Sequence, residues 1–306
     1  LSTATEHEFE PYRGELFAHC YRMVGSVHEA EDLVQDTFLR AWQARDAFEG
    51  RASVRTWLYK IATNACLNVL GSARRRVLPM SFEPESDPAD PVAMRSDVPW
   101  LEPLPGGELD ERDSVRLAFV AMAQTLPPQQ RAVLLLRDVL GFRAAEVAAM
   151  LDTTTIAVNS SLRRARSALD DSSISSVPEP STAADRRLLD AYVAAWEDKD
   201  VPAIIALLTS DAVWEMPPLT AWYRGRAAIG HHLTHRCPVK PGEATLVPVV
   251  ANGQPAFATY VRRPDGTRHA QFLQVLEVGP TGIEHLYAFS DPAVFALFSL
   301  PAADEI

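Results

Sequence analysis

Between residues 79 and 107 the chain loses its apolar periodicity: Pro, Asp, Glu and Gly dominate a run longer than the connections that compact domains tolerate. Among 306 residues this break constrains the fold most, because the segments on either side must close their cores separately. Before it, Leu16, Cys20 and Met23 lead to Ala30, Leu33, Val34, Phe38 and Trp42, spaced by threes and fours as on amphipathic helices. A second run, with Ser53 as its N-cap, carries Trp57, Leu58, Ile61, Ala65 and Val69 and ends in the basic triplet Arg74, Arg75, Arg76. Residues 1–78 are thus expected to form an all-α domain, and residues 79–110 an acidic, Pro-rich linker between two bodies.

Helical periodicity returns over about 111–125. Pro127-Pro128 opens another helix, stopped by Gly141. Two short helices follow, 144–151 and 155–169, separated at Asp152-Thr153-Thr154, a pattern that predicts a helix-turn-helix in a second all-α domain over 111–172. Residues 173–182, rich in Ser and Pro, read as a second linker. The remainder, 183–306, changes character. Helices over 188–196, 204–208 and 226–235 accompany a strand at 212–216 and four more at 245–250, 256–262, 268–278 and 283–289. Turns at Asn252-Gly253, Pro264-Asp265-Gly266 and 279–282 separate these last four. An α+β domain with a meandering antiparallel sheet is expected.

The net charge of −11, read whole, argues against nucleic acid, whose phosphates demand Lys and Arg. It is unevenly spread. Residues 1–80 hold 10 basic and 10 acidic side chains, net zero, and residues 81–113 hold 2 and 10, net −8. Residues 114–172 hold 7 and 5, net +2, and the rest 10 and 15, net −5. Only the two helical blocks are neutral or basic. Three cysteines, Cys20, Cys66 and Cys237, are too few and too scattered for a disulfide framework or a zinc site and fit a reducing cytoplasm. No apolar run is long enough for a membrane span, and the first ten residues lack a basic region followed by an apolar one, so neither membrane insertion nor export is expected.

On the helix over 30–42, Asp32, Gln35 and Asp36 stand together opposite the apolar face, a polar patch able to dock a basic helix. The text around them, residues 31–38, then Phe48-Glu49-Gly50-Arg51 and residues 56–64, closely resembles region 2 of bacterial sigma factors of the extracytoplasmic-function group. The resemblance implies that Asp32, Gln35 and Asp36 dock on the clamp helices of core RNA polymerase. It further implies that the loop after Phe48, with Arg51, and the helix after it hold an unstacked base of the minus-ten promoter element. Asn64, with one donor and one acceptor group, stands where the family places its reading residue. Lys60, Arg74, Arg75 and Arg76 would meet phosphates. Trp57 reads as core, lying on the Ile61/Ala65 face.

In the helix-turn-helix, Val158, Leu162, Ala165 and Leu169 form the inward face, leaving Thr154, Thr155, Asn159, Ser160, Arg163 and Arg164 outward. This suits a recognition helix that reads bases with its first residues and anchors on phosphate with later ones. Residues 131–166, entered through Leu126-Pro127-Pro128-Gln129-Gln130-Arg131, resemble sigma region 4, which implies minus-thirty-five contacts and docking on the polymerase flap. Asn159 and Ser161 depart from the Lys and Arg often found there, which leaves the preferred bases open. In the family the intervening segment threads near the path of nascent RNA; here, Glu83, Glu85, Asp87 and Asp90 suit a basic channel, or simply a soluble spacer.

Beyond residue 172, Asp211-Ala212-Val213-Trp214-Glu215-Met216-Pro217-Pro218, Tyr223-Arg224-Gly225 and the order of elements resemble the cone-shaped SnoaL-like (nuclear-transport-factor-like) fold. The expected pocket residues are Trp214, Trp222, Tyr223, His231, His269 and Gln271. Asp211, Glu215 and His285 are further acid–base candidates. Fold analogy does not carry activity, and spacing does not bring an acid and a base together, so catalysis is not expected. His231 and His235 have metal-ligand spacing beside His232 but no acidic ligand motif, so no metal and no cofactor is expected. The resemblance implies a regulatory domain that contacts regions 2 and 4 and accepts a small apolar ligand. The reading is a multidomain promoter-specificity subunit of RNA polymerase. Its alternatives are a helix-turn-helix protein fused to a small-molecule enzyme and a ligand-sensing repressor. A repressor has no use for Asp32, Gln35 and Asp36 together with the helix from Trp57 to Asn64.

Overall fold

The computed structural model describes residues 8–48, 50, 52–71, 75–106, 116–169 and 183–303. They fall into two compact units: Leu1–Arg76 with Gly107–Ser175, and Val77–Gly106 with Ser176–Ile306. In the first unit, α1 (Arg13–Val24), α2 (Val27–Gln43) and α3 (Val54–Leu70) form a bundle. Gly25 ends α1 in the left-handed conformation, at φ 74°, and Ser26 caps α2 by accepting from Glu29 N at 3.3 Å. Ser53 caps α3, accepting from Thr56 N at 3.0 Å, as its sequence position predicts. Leu16, Cys20, Met23, Val34, Leu58, Ala62 and Cys66 are buried between these helices.

The same unit continues with α4 (Leu117–Ala123) and α5 (Pro128–Leu134), which runs on as a π turn over Leu135–Val139. α6 (Ala144–Met150) and α7 (Thr155–Ala168) complete the expected helix-turn-helix. Within the helix expected over 111–125, residues 111–115 lie outside the described residues, and α4 is seven residues long. Arg131 joins the two halves of this unit. Only 2% exposed, it donates to Met23 O at the end of α1, to Gln124 Oε1, to Gln124 O at 3.1 Å and to Leu126 O at 3.2 Å. Burial and the neighbouring Arg75 push its pKa down to about 10. Gln124 Nε2 also donates to Arg22 O at 3.0 Å. The carbonyls that a helix end leaves over thus receive their donors from α5 and the turn before it.

In the second unit, α8 (Ala183–Glu197), α9 (Val201–Ala206) and α10 (Gly225–His235) pack on one six-stranded sheet. Its strands are β1 (Leu208–Glu215), β2 (Trp222–Arg224), β3 (Ala244–Ala251), β4 (Gln254–Arg262), β5 (Arg268–Gly279) and β6 (Gly282–Phe289), in the order β2-β1-β6-β5-β4-β3. β3 to β6 form the expected meander, and the Asn252-Gly253 turn has both residues at positive φ. The sheet as a whole corrects the antiparallel expectation: β1 pairs in parallel with β6, Trp214 opposite Leu286, and β2 adds a three-residue strand. Hairpin signals are local, whereas the β1–β6 pairing joins strands some seventy residues apart. Tyr192, Trp196, Trp214, Leu233, Phe257 and Phe272 fill the space between helices and sheet. α11 (Pro292–Leu297) covers the opposite face, with Phe295 edge-on to Tyr260.

The expected linker is a strap on this second unit. Ser86 N donates to Trp222 O at 3.1 Å, Trp222 Nε1 to Glu83 O at 2.8 Å, Thr220 N to Ala93 O at 2.9 Å and Arg95 N to Pro218 O at 3.0 Å. Farther along, Leu104 N donates to Asn252 Oδ1 at 2.8 Å, and Asn252 N returns a bond to Leu104 O at 2.7 Å. The strap therefore holds the β2 edge and the β3–β4 turn of the same sheet. Backbone groups make most of these bonds, which is why an aperiodic, acidic sequence gives no sign of them. Residues 170–182, which include the second expected linker, lie outside the described residues.

Candidate nucleic-acid interface

α2 presents Asp32 and Gln35 to solvent, with Asp36 partly covered and paired to Arg40 at 2.8 Å. Leu39 and Trp42, 48% and 46% exposed, continue the same stripe at i+7 and i+10 from Asp32. An acidic head with an apolar tail suits a basic, amphipathic partner helix. Sequence periodicity assigned Trp42 to the inward face; the exposed stripe was legible only from where α1 and α3 leave α2 uncovered.

α3 brings Lys60 and Asn64 together one turn apart. Lys60 Nζ donates to Ala149 O at 3.1 Å and to Asp152 Oδ1 at 3.0 Å, and Asn64 Nδ2 donates to Met150 O at 3.3 Å. The expected minus-ten readers therefore hold the C-terminal end of α6. Arg55, over the rings of Tyr59 and Phe142 at 4.9 and 5.0 Å, extends the same contact. Phe48 stacks on Trp57 at 4.6 Å, and a cleft of about 1090 Å³ runs from these rings and Thr56 to Arg143, Glu146 and Met150. Of the basic triplet, Arg75 is exposed and Arg76 pairs with Glu29 at 2.9 Å. Arg51 and Arg74 lie outside the described residues.

On α7, Thr155, Asn159, Arg163 and Arg164 are exposed and Ser160 partly so. Val158, Leu162 and Ala165 are buried, as the spacing predicts. Thr154 Oγ1 accepts from Ala157 N at 3.2 Å, so that oxygen serves as the N-cap. Arg166 is fixed to Asp138 through two bonds of 2.7 and 2.8 Å. Ile156, which sequence reasoning passed over, is 78% exposed on this face.

The expected pocket residues of the second unit do not converge. Trp214 and Tyr223 meet at His232, with ring centroids 5.4 and 5.0 Å from it, whereas His231 is exposed beside His235 on the outer side of α10. Burial and nearby Lys199 and Arg236 lower the His232 pKa to about 4. Trp222 faces the strap, His269 bonds Thr267 at 3.0 Å, and Gln271 is the residue skipped by the β4–β5 register. Asp211 is exposed. Glu215, 1% exposed, accepts from His285 Nε2 at 2.9 Å and from Met80 N of the strap at 2.6 Å. With both oxygens engaged, this carboxylate has a positioning task already. Among the described residues no group of three or more His, Cys, Asp or Glu could hold a metal ion, and no helix is long and apolar enough to cross a membrane.

Comparison with known proteins matches three family descriptions: Sigma-70 region 2 over residues 9–76, Sigma-70 region 4 over 116–169 and a SnoaL-like domain over 189–282. The chain is 48% identical over 307 aligned residues to the ECF RNA polymerase sigma factor SigG of Mycobacterium tuberculosis, covering 95% of this chain and 82% of SigG. It is 30% identical to the ECF RNA polymerase sigma factor SigW of Bacillus subtilis over 162 residues, 52% of this chain and 82% of SigW. The crystal structure of the M. tuberculosis extracytoplasmic function sigma factor SigJ shares the fold, with a TM-score of 0.67 at 20% identity over 97% of this chain and 99% of SigJ.

Proposed function

The chain belongs to the extracytoplasmic-function group of RNA polymerase sigma factors, and on that premise we propose how its own residues divide the work of promoter recognition. Sigma factors of this group bind core polymerase and promoter DNA. The α2 stripe from Asp32 to Trp42 is the surface for core polymerase; Asn64 reads a base of the melted minus-ten strand while Lys60 meets its phosphates; the outer face of α7 reads the duplex minus-thirty-five element. The observation that carries this reading is the segregation on α7: every buried side chain lies on one face, and the exposed face collects Asn159, Arg163 and Arg164.

On this reading the minus-ten site is covered in the fold as it stands. Lys60 and Asn64 cannot meet DNA while they hold Ala149, Met150 and Asp152. Opening exchanges these contacts for phosphate and base contacts, and it must also part Phe142 from Tyr59 and Arg55. The strap adds a second control. For residues 79–106 to enter a polymerase channel, their bonds to Trp222, Thr220 and Asn252 must break, so the SnoaL-like unit competes with polymerase for that segment. Glu215, which holds Met80 N of the strap and His285, fixes the strap on this unit and so supports a regulatory role for it.

Transcription with core polymerase, comparing the full chain with a chain cut near Ser172, tests the reading. Promoter-dependent transcripts are expected from the full chain, and their absence under all conditions would end it. Replacing Asp32 and Asp36 together by Ala should weaken core binding by about tenfold or more, in a pull-down with core enzyme, before any effect on DNA. Neutralising Glu83, Glu85, Asp87 and Asp90 should lower promoter escape if the strap enters the channel; unchanged transcripts would favour the spacer reading.

A further inference from the structure

Ile156 is the most exposed large apolar side chain among the described residues, at 78%. Single exposed apolar residues are ordinary on protein surfaces, so exposure alone says little. Its position says more. Ile156 is the second residue of α7, opposite the buried Val158, Leu162 and Ala165, and Asn159, Ser160 and Arg163 follow at i+3, i+4 and i+7 on the same face. The first residues of the second helix in a helix-turn-helix enter the major groove. There the bases present hydrogen-bonding groups and a single apolar one, the C5-methyl of thymine.

We propose that Ile156 selects thymine in the upstream promoter element by packing against its 5-methyl group, and the proposal rests on α7 being the duplex reader argued above. The neighbours fit such a site. Asn159, one turn on, has the paired donor and acceptor that adenine matches, so Ile156 and Asn159 together favour A·T pairs, with Arg163 placed for phosphate or guanine. Thr154 Oγ1 is engaged in the cap, so Thr155 and Ile156 are the first side chains of α7 itself that the groove would meet.

The test uses holoenzyme assembled from core polymerase and the full chain, with duplex promoters randomised upstream of the minus-ten element. The wild-type pool should enrich thymine, on one strand or the other, at a position that Ile156→Ala no longer enriches, while the remaining enriched positions persist. On the selected duplex, replacing that thymine by uracil, which lacks only the methyl, should weaken wild-type holoenzyme binding by about three- to fivefold. Ile156→Ala holoenzyme should be indifferent to the same change, and Ile156→Val should retain part of the discrimination. Three outcomes would overturn the proposal: unchanged wild-type binding on uracil, the same thymine enriched by both proteins, or a loss in Ile156→Ala that is equal on every template, which would mark a protein contact. A wild-type pool with no upstream preference at all would remove the α7 assignment itself, and this inference with it.

Discussion

Two helices of one compact unit carry the expected DNA contacts, and they differ in what they touch. α3 spends Lys60 and Asn64 on the end of α6, whereas α7 leaves Ile156, Asn159 and Arg163 in solvent. The difference follows the state of the DNA each one meets. A minus-ten base must leave the duplex before it can be read, so its site can stay covered until polymerase melts the promoter. Duplex DNA offers its groove edges at all times, and a covered α7 would have nothing to wait for. Of the contacts over α3, the exposed Lys60–Asp152 pair contributes at most about 1 kcal/mol, whereas Tyr59 against Phe142 is buried packing.

The largest effect is expected at Arg131, which ties the α5 side of the unit to the end of α1. Arg131→Met leaves Met23 O and Gln124 O without their donor and should cost about 3 kcal/mol, read as lost amide protection in α1 and α5 by hydrogen exchange while the second unit keeps its own. Acid should undermine α3 more than α7. His19, buried beneath α3 and bonded to Thr63 Oγ1 at 2.9 Å, has its pKa lowered from 6.5 to about 3 by burial and by Arg22. The unfolded chain therefore takes up this proton below 6.5 while the fold refuses it, so stability is complete above 6.5 and falls as pH drops towards 3. About 2 kcal/mol should be gone by pH 5, and His19→Gln should flatten that slope in urea titrations. Asn64→Ala should lower promoter melting by about tenfold, followed by permanganate reactivity, without changing duplex retention through α7. The smallest effect is expected at Asp152→Ala, which removes the ion-pair partner of Lys60 and leaves its bond to Ala149 O. Affinity for the single-stranded minus-ten element should rise about two- to fivefold at low salt and fade as salt increases. A fall in affinity would mean that α6 does not cover the reading face.

Much of this was legible in sequence. The buried faces of α1 and α7, the cap at Ser53 and the Asn252-Gly253 hairpin follow from residue types whose effects reach no farther than a turn, whereas Trp57 and Ile61, expected in the core, are only partly buried, Trp57 on the cleft, and Thr154 serves as a cap. The charge asymmetry marked the two helical blocks as the parts compatible with DNA. His232 was missed in favour of His231 because a helix of low amphipathicity does not announce its inner face; only Trp214 and Tyr223, brought by the sheet, make the neighbouring position the buried one. The strap was missed for a different reason. It is fixed largely by backbone groups, which every sequence possesses.

The family, the helical and sheet-forming segments and the residues proposed to face nucleic acid are legible in the chain alone, because these depend on local periodicity and on side-chain chemistry. The parallel pairing of β1 with β6, the course of residues 77–106 along the SnoaL-like unit, and the covering of Lys60 and Asn64 while Ile156 stays bare arise in the folded chain. Those outcomes depend on which surfaces remain after each core has closed, and long-range pairing of backbone and surface groups leaves no period in the chain to read.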